Sequence, residues 1–500
     1  VDPPRYEALI EACDALLLAP GATAERISVQ WLHVPNEHPI WMSLYEDLWD
    51  PPQPPAVNPR DLRPAGTART MARSLLRGRK CPVPPAGDSR FPAKVDALFI
   101  SNLVSAQMTA DGADFYFGRL SEQLADCGVS SITALQNQVS GGEQILRTRL
   151  TRGGRASRIL LPRTGSFQEE LRTLTRARRA ASELADAASS ARTPFARAVA
   201  LQAARYARTA WALRPLRLHH AVQRLCRRFQ PRAVVVLWEG LAWERMAFHA
   251  ARTVDPDVRC IGYQHAVLLP RTHALKRALG RGFDPDLILT IGDVTGESLR
   301  TCEGLRSVPV LVYGSHRRAL DGGQRASDAS TRCLVIPEGI ESECLTLFDF
   351  ALDAAVRHPG LEFVLRTHPL LPFERLARRH HRFRTLPGNV RLSDQGDIST
   401  DLLQCDWALY RGSSAVVHAV LAGTRPVYLE RTGELPIDPL YAMPGWRRRV
   451  TTVAEFGAGI AVDAAQGRED RKREWTPARD FCNRYIVAPD VEVVRRLVAG

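Results

Sequence analysis

The residues best suited to chemistry fall into two sets. The first is three short runs, Pro337-Glu338-Gly339, Arg366-Thr367-His368-Pro369 and Arg411-Gly412-Ser413-Ser414. Their side chains suit an anion. Guanidinium and imidazole groups hold phosphate oxygens, hydroxyls add donors, and free N–H groups at a helix start favour negative charge. Gly412 lets the backbone approach a ligand closely. Taken singly, Ser413 is equally a helix cap, His368 a loop histidine before a fixed turn, and Glu338 a solvated turn residue. The second set is Glu239, with Glu244 one turn further on, the pair Gln264-His265, and Asn102. A carboxylate or imidazole there could deprotonate an attacking hydroxyl, and the amides could hold sugar hydroxyls. Glu239 also fits the simpler role of an acid stabilised at a helix start, and Glu244 that of a supporting group.

The elements around these runs give them a common place. From residue 94 onward, short apolar runs alternate with amphipathic stretches. Strands are expected at 95–100, 131–135, 158–161, 233–237, 258–263, 287–291 and 308–312, with a long helical region at 167–229. A polar stretch at 321–331 reads as a hinge. The alternation then restarts, with strands at 333–337, 361–366, 389–392, 406–410 and 426–429, helices at 341–357, 373–380 and 414–421, and a helical tail at 475–498. Alternation of this kind predicts α/β architecture with two doubly wound, mainly parallel sheets. Ligands of such sheets bind beyond the carboxyl ends of the strands, and both sets of residues fall there. The expected domains are 1–92, an N-terminal extension with a proline-rich linker from residue 51; 93–325, a Rossmann-like domain with an arginine-rich helical insertion; 326–475, a second Rossmann-like domain; and 476–500, a C-terminal helix. Within the first, a helix at 6–18 and a strand at 27–34 are expected.

Composition narrows the classes. The chain has 500 residues, 67 Lys+Arg against 54 Asp+Glu, and a formal charge of +13. That length supports two or three domains with real cores. The basic excess is almost wholly arginine; the lysines are Lys80, Lys94, Lys276 and Lys472. Aromatic residues are not interleaved with it as stacking platforms, so nucleic acid is not the expected partner. No apolar run reaches the roughly 18 residues that span a bilayer. The scattered cysteines show no zinc spacing, and a reducing cytoplasm is expected. No P-loop, dinucleotide fingerprint or nucleophile elbow is present. His380-His381 lies in an arginine-rich surface stretch and reads as solvated.

The order Glu338-Gly339, His368-Pro369, Ser413-Ser414 resembles the motif set of bacterial sialyltransferases and related capsule enzymes that use CMP-activated sugars, over roughly residues 330–430. The resemblance implies the two-domain GT-B glycosyltransferase fold, without a metal and without a cofactor other than a CMP-activated sugar as donor substrate. It implies that the second domain binds donor and the first acceptor, that His368 and Pro369 contact the nucleotide and phosphate and Ser413 and Ser414 the donor phosphate, and that Glu338 takes the place of a base, although one acid stands where some members have two; Gly339, Arg366 and Arg411, beside these motifs, are further donor-binding candidates. Glu239 and His265 are the other catalytic candidates, and Asn102, Gln264 and Glu244 lie on the acceptor side. CDP-glycerol glycerophosphotransferases have a similar arrangement. Trp238-Glu239-Gly240 and Tyr263-Gln264-His265 also resemble bacterial surface-carbohydrate biosynthesis proteins. A nucleotide-sugar epimerase and a non-catalytic basic module are the remaining alternatives. The expected acceptor is a glycan or lipid-linked glycan. The arginine-rich segment 147–232 is read either as a solvated face or as a peripheral contact with anionic lipid at the inner face of the plasma membrane.

Overall fold

A computed structural model describes residues 1–49, 88, 91–109, 113–139, 146, 150, 157–317, 331–368 and 371–499. The proline-rich run, most of the expected hinge and Pro369 lie outside the described residues.

Two parallel sheets organise the chain. The first has seven strands: β1 (Ala97–Leu103), β2 (Ser131–Asn137), β3 (Ser157–Leu160), β4 (Ala233–Leu237), β5 (Arg259–Gln264), β6 (Leu287–Thr290) and β7 (Val310–Val312), in the order β3-β2-β1-β4-β5-β6-β7. The second has six: β8 (Arg332–Ile336), β9 (Glu362–Leu365), β10 (Val390–Leu392), β11 (Trp407–Tyr410), β12 (Arg425–Leu429) and β13 (Arg448–Val450), in the order β10-β9-β8-β11-β12-β13. Every pairing is parallel. Central strands such as Ala-Val-Val-Val-Leu of β4 are buried along their whole length, as strands covered by helices on both faces must be. The α/β class with two Rossmann-like sheets is therefore as expected.

In each sheet the order reverses beside the first strand, between β1 and β4 and between β8 and β11. Those two reversals open the crevices where such sheets bind ligands. Asn102 and Glu239 lie at the first crevice, and Glu338 and Gly412 at the second.

An apolar layer joins the halves. Phe99, Leu237 and Tyr263 share it with Leu334, Ile336 and Tyr410, and with Tyr485, Val494 and Val498 of the tail. After the helix Arg468–Tyr485 the chain returns to the first sheet, where Val487 N–H donates to Ile291 O at 2.9 Å and Ser315 N–H to Val487 O at 2.9 Å.

The N-terminal region differs from expectation. Residues 27–34 form no strand. Thr23 caps a short helix, Ala24–Ile27, and a 3-10 turn covers Gln30–His33. Trp31, Leu32 and Val34 are apolar because helices bury them, not because a neighbouring strand does. Tyr6, Leu9 and Cys13 of the helix Pro3–Leu17 pack with Ala180, Leu184 and Val199 of the arginine-rich helices. Those helices are Phe167–Ser189, Pro194–Tyr206 and Leu213–Phe229. None of the helices among the described residues is long and apolar enough to cross a membrane.

One buried ion pair carries a stability prediction. Arg245 is fully buried, pairs with Asp284, and donates to the carbonyls of Gly240 (3.2 Å), Ala274 (2.9 Å) and Arg277 (2.7 Å). Removing one partner leaves an uncompensated charge in the interior. Asp284→Ala should lower unfolding free energy by about 3–5 kcal/mol in urea melts, and a loss under 1 kcal/mol would show that the pair is not needed.

Candidate functional site

On the first sheet, β4 ends in Trp238 and leads through Glu239-Gly240-Leu241 into the helix Ala242–Arg252. Glu244, fully buried, turns back on this loop. Its Oε2 accepts from the N–H groups of Glu239 at 2.8 Å and Leu241 at 2.9 Å. Burial, and then the neighbouring Glu239 charge, push Glu244 well above the usual carboxylate range. Glu244 thus shapes the loop and does not face the cleft. The Glu239 carboxylate is half-buried and takes no hydrogen bond among the described residues, and burial raises its pKa.

His265 follows β5. Its ring meets Tyr116 edge-on, with centroids 4.5 Å apart. Burial first, and then the charge of Arg317, bring the imidazole down to about 3. Tyr116 hydrogen-bonds Asn102, and burial followed by the Glu239 charge pushes its hydroxyl up to about 12. Asn102, Tyr116, Glu239 and His265 therefore form one wall. Gln264 does not belong to it. It is 1% exposed and its amide turns back on the carbonyl of Ala266, so its expected acceptor contact is corrected to support of the loop.

On the second sheet, three strand ends converge. Glu338 follows β8, and its Oε1 accepts the Gly412 N–H beyond β11 at 3.0 Å. Gly339 lies against the His368 ring beyond β9; a Cβ at Gly339 would come 2.6 Å from Nδ1. A Cβ at Gly412 would likewise come 2.6 Å from the Glu338 carboxylate. Small residues are thus required at both positions for the three loops to meet. Gly412→Ala should push Glu338 out of place, costing about 1–3 kcal/mol of stability and the local geometry of Ser413-Ser414. A thermal melt unchanged within error would contradict the close approach.

Several donor-side expectations need correction. Glu338 has both oxygens committed, since Oε2 also meets His38 Nε2 at 2.9 Å, and a fully held carboxylate is poorly placed to serve as a base. Arg366 turns away to Asp401 at 2.6 Å and to the carbonyls of Gln395 and Gly396. Arg411 is 2% exposed and lies between Glu343 and Glu434, each at 2.6 Å. Two carboxylates neutralise it, so neither arginine is left for a phosphate. The helix after β11 begins at Val416, not at residue 414, and is six residues long, so its dipole offers little. Ser413 and Ser414 precede it in a turn, and their hydroxyls have no protein partner among the described residues. His368 has its pKa lowered, chiefly by burial.

Three residues at this site were not anticipated. Arg317, just beyond β7, lies 4.7 Å from the Phe115 ring centroid. Its charge acts on His265 and Tyr116 of the first wall, and on His368 and His418 of the second. Among the described residues no carboxylate pairs with it. His418 stands in the helix after the serine pair; burial, then Arg317, bring it to about 4, and its Nδ1 is buried without a partner among the described residues. His38 comes from the N-terminal region. Arg317 could have been found by following the chain five residues past the expected strand at 308–312, and His38-Pro39 repeats the dipeptide of His368-Pro369. Among the described residues no three His, Cys, Asp or Glu gather as a metal site.

No protein-family model and no curated protein sequence matches the chain. Solved structures do align over most of it. The glycotransferase of kitacinnamycin is 14% identical, covering 82% of this chain and 99% of its own, with a TM-score of 0.45. MurG of Acinetobacter baumannii is 12% identical over 81% and 99%, with a TM-score of 0.43. The UDP-GlcNAc 2-epimerase of Neisseria meningitidis, bound to UDP-GlcNAc, is 13% identical over 81% and 100%, with a TM-score of 0.43.

Proposed function

We propose that the protein is a glycosyltransferase that moves a sugar from a nucleotide-activated donor to an acceptor hydroxyl in the cleft between its two sheets. The observation that carries this reading is Arg317, which lies 4.7 Å from the Phe115 ring, has no carboxylate partner among the described residues, and whose charge acts on His265 of the first wall and His368 of the second. A cation so placed suits the phosphate of a departing nucleotide. Glu239 is the base. His265, near 3, is too weak a base at neutral pH, whereas burial makes the Glu239 carboxylate a stronger one. The acceptor oxygen attacks the anomeric carbon and its proton passes to Glu239. The bond between that carbon and the phosphate oxygen breaks, and the nucleotide leaves with the electron pair, beside Arg317, His368 and the Ser413 and Ser414 hydroxyls.

The motif order of Glu338-Gly339, His368 and Ser413-Ser414 supports a CMP donor carrying an acidic sugar of the sialic acid or Kdo type. Thermal shift with CMP, CDP and UDP tests this. Stabilisation by CMP above the others is expected. Preference for CDP would favour glycerophosphotransfer, preference for UDP would remove the acidic-sugar part, and no shift with any nucleotide would sink the transferase reading.

An acceptor anchored in an anionic membrane is favoured by exposed apolar side chains on and beside the arginine-rich helices. Phe167, Leu171 and Trp211 are 39%, 49% and 51% exposed, and Arg214 stacks on Trp211 at 3.9 Å. Arg163 and Arg217 are close enough for their charges to act on Arg214. Aromatic and apolar side chains beside arginines suit an anionic lipid surface. The protein should sediment with phosphatidylglycerol vesicles and not with phosphatidylcholine alone, and Trp211→Ala should weaken this several-fold; equal sedimentation with both would remove the membrane from the reading.

A further inference from the structure

The N-terminal region reaches both walls of the cleft. Gln30 Oε1 accepts the N–H of Ala242, at the helix start behind Glu239, at 2.9 Å. Pro35 O accepts the His273 N–H at 2.9 Å, and Glu37 Oε1 the Arg271 N–H at 2.7 Å. These contacts fasten residues 30–37 to the first domain. The next residue crosses over. His38 Nε2 lies 2.9 Å from Oε2 of Glu338, 300 residues away, with the two side chains only 8% and 17% exposed.

The direction of that bond follows from the other ring nitrogen. His38 Nδ1 accepts the Ile40 N–H at 3.2 Å, so the proton sits on Nε2, which donates to the carboxylate. Glu338 is then held at both oxygens, by His38 on one and by the Gly412 N–H on the other. Without His38, Oε2 loses this bond and the Gly412 N–H still holds Oε1.

We propose that His38 is a positioning residue for the donor side. It fixes Glu338 against Gly412, and through Gly412 it sets the Ser413-Ser414 turn that meets the nucleotide. Because His38 rides on a segment fastened to the first domain, the bond also ties the two walls together. This rests on the cleft reading above, and the experiment separates the two.

Amide hydrogen exchange of the ligand-free full chain is measured alongside CMP, CDP and UDP affinity, for wild type, His38→Ala and His38→Gln. Gln can place a donor near the Nε2 position, so it should behave as wild type in both readouts. In His38→Ala, exchange at Gly412 should rise and affinity for the preferred nucleotide should fall, each roughly tenfold. Unchanged exchange at Gly412 in His38→Ala overturns the positioning role, as does faster exchange with unchanged affinity or failure of Gln to restore either. If wild type binds none of the three nucleotides, the donor reading fails, and exchange at Gly412 still decides whether His38 holds Glu338.

Discussion

Arg317→Gln should lower kcat/KM about a hundred- to a thousandfold, the scale of losing one preorganised charge from a transition state, while leaving the melting temperature close to wild type. Both halves follow from how the side chain is held. Arg317 is exposed to solvent, and among the described residues it satisfies no carboxylate, so removing it orphans no partner. Its charge instead weighs on His265 and Tyr116 on one wall and on His368 and His418 on the other. Burial is the larger cause of each histidine's depressed pKa, and the arginine adds to it. All three imidazoles should therefore titrate higher in the Gln variant, which NMR can follow. Arg366→Gln supplies the contrast. It strips the charged partner from Asp401, which is 1% exposed and keeps, among the described residues, only the Ser393 hydroxyl at 2.6 Å, so it should destabilise the fold before it touches catalysis. A variant at 317 that keeps full kcat/KM, or a variant at 366 that loses activity with stability intact, would move the anion site elsewhere.

That contrast marks what the residues alone could and could not tell. Both sheets are legible because strands buried on two faces read as unbroken apolar runs, as in β4 and β8. The same signature misleads at residues 27–34, where helices do the burying. It is silent at β13, whose Arg448-Arg449-Val450 edge carries no apolar run. Strand ends can be listed from the chain, and so the convergence of Glu338, His368 and Gly412 at one sheet edge is readable. The fate of an arginine is not. Arg366, Arg411 and Arg317 all follow strands, yet the first two meet carboxylates from helices and loops remote in the chain, and Arg317 meets none among the described residues. The bond from His38 to Glu338 has no local signal at all, since its partners are 300 residues apart.

Glu239→Gln should inactivate the protein and stabilise it at once. As the base, Glu239 must be ionised, and burial raises its pKa. The acid limb of the kcat/KM profile should thus lie above the ordinary carboxylate value of about 4.3, with activity falling as pH drops through the raised pKa. Gln cannot take the proton; kcat should fall about 10²- to 10⁴-fold, and the limb should vanish with KM little changed. The stability effect has the opposite pH sense. A carboxyl whose pKa is higher folded than unfolded is held best in its protonated form, so its stabilisation is complete below the unfolded value and lost as pH rises through the folded one. Wild type should therefore lose stability to urea as pH rises from the ordinary carboxylate range through the raised pKa, and Glu239→Gln should lose less. Glu244 stays in both proteins, and because the Glu239 charge also raises its pKa, the Gln variant should ease that group too. Retained activity with an unmoved acid limb would assign the base to another group. Lost activity with unchanged pH dependence of stability would show that the Glu239 carboxyl is solvated and that burial does not tune it.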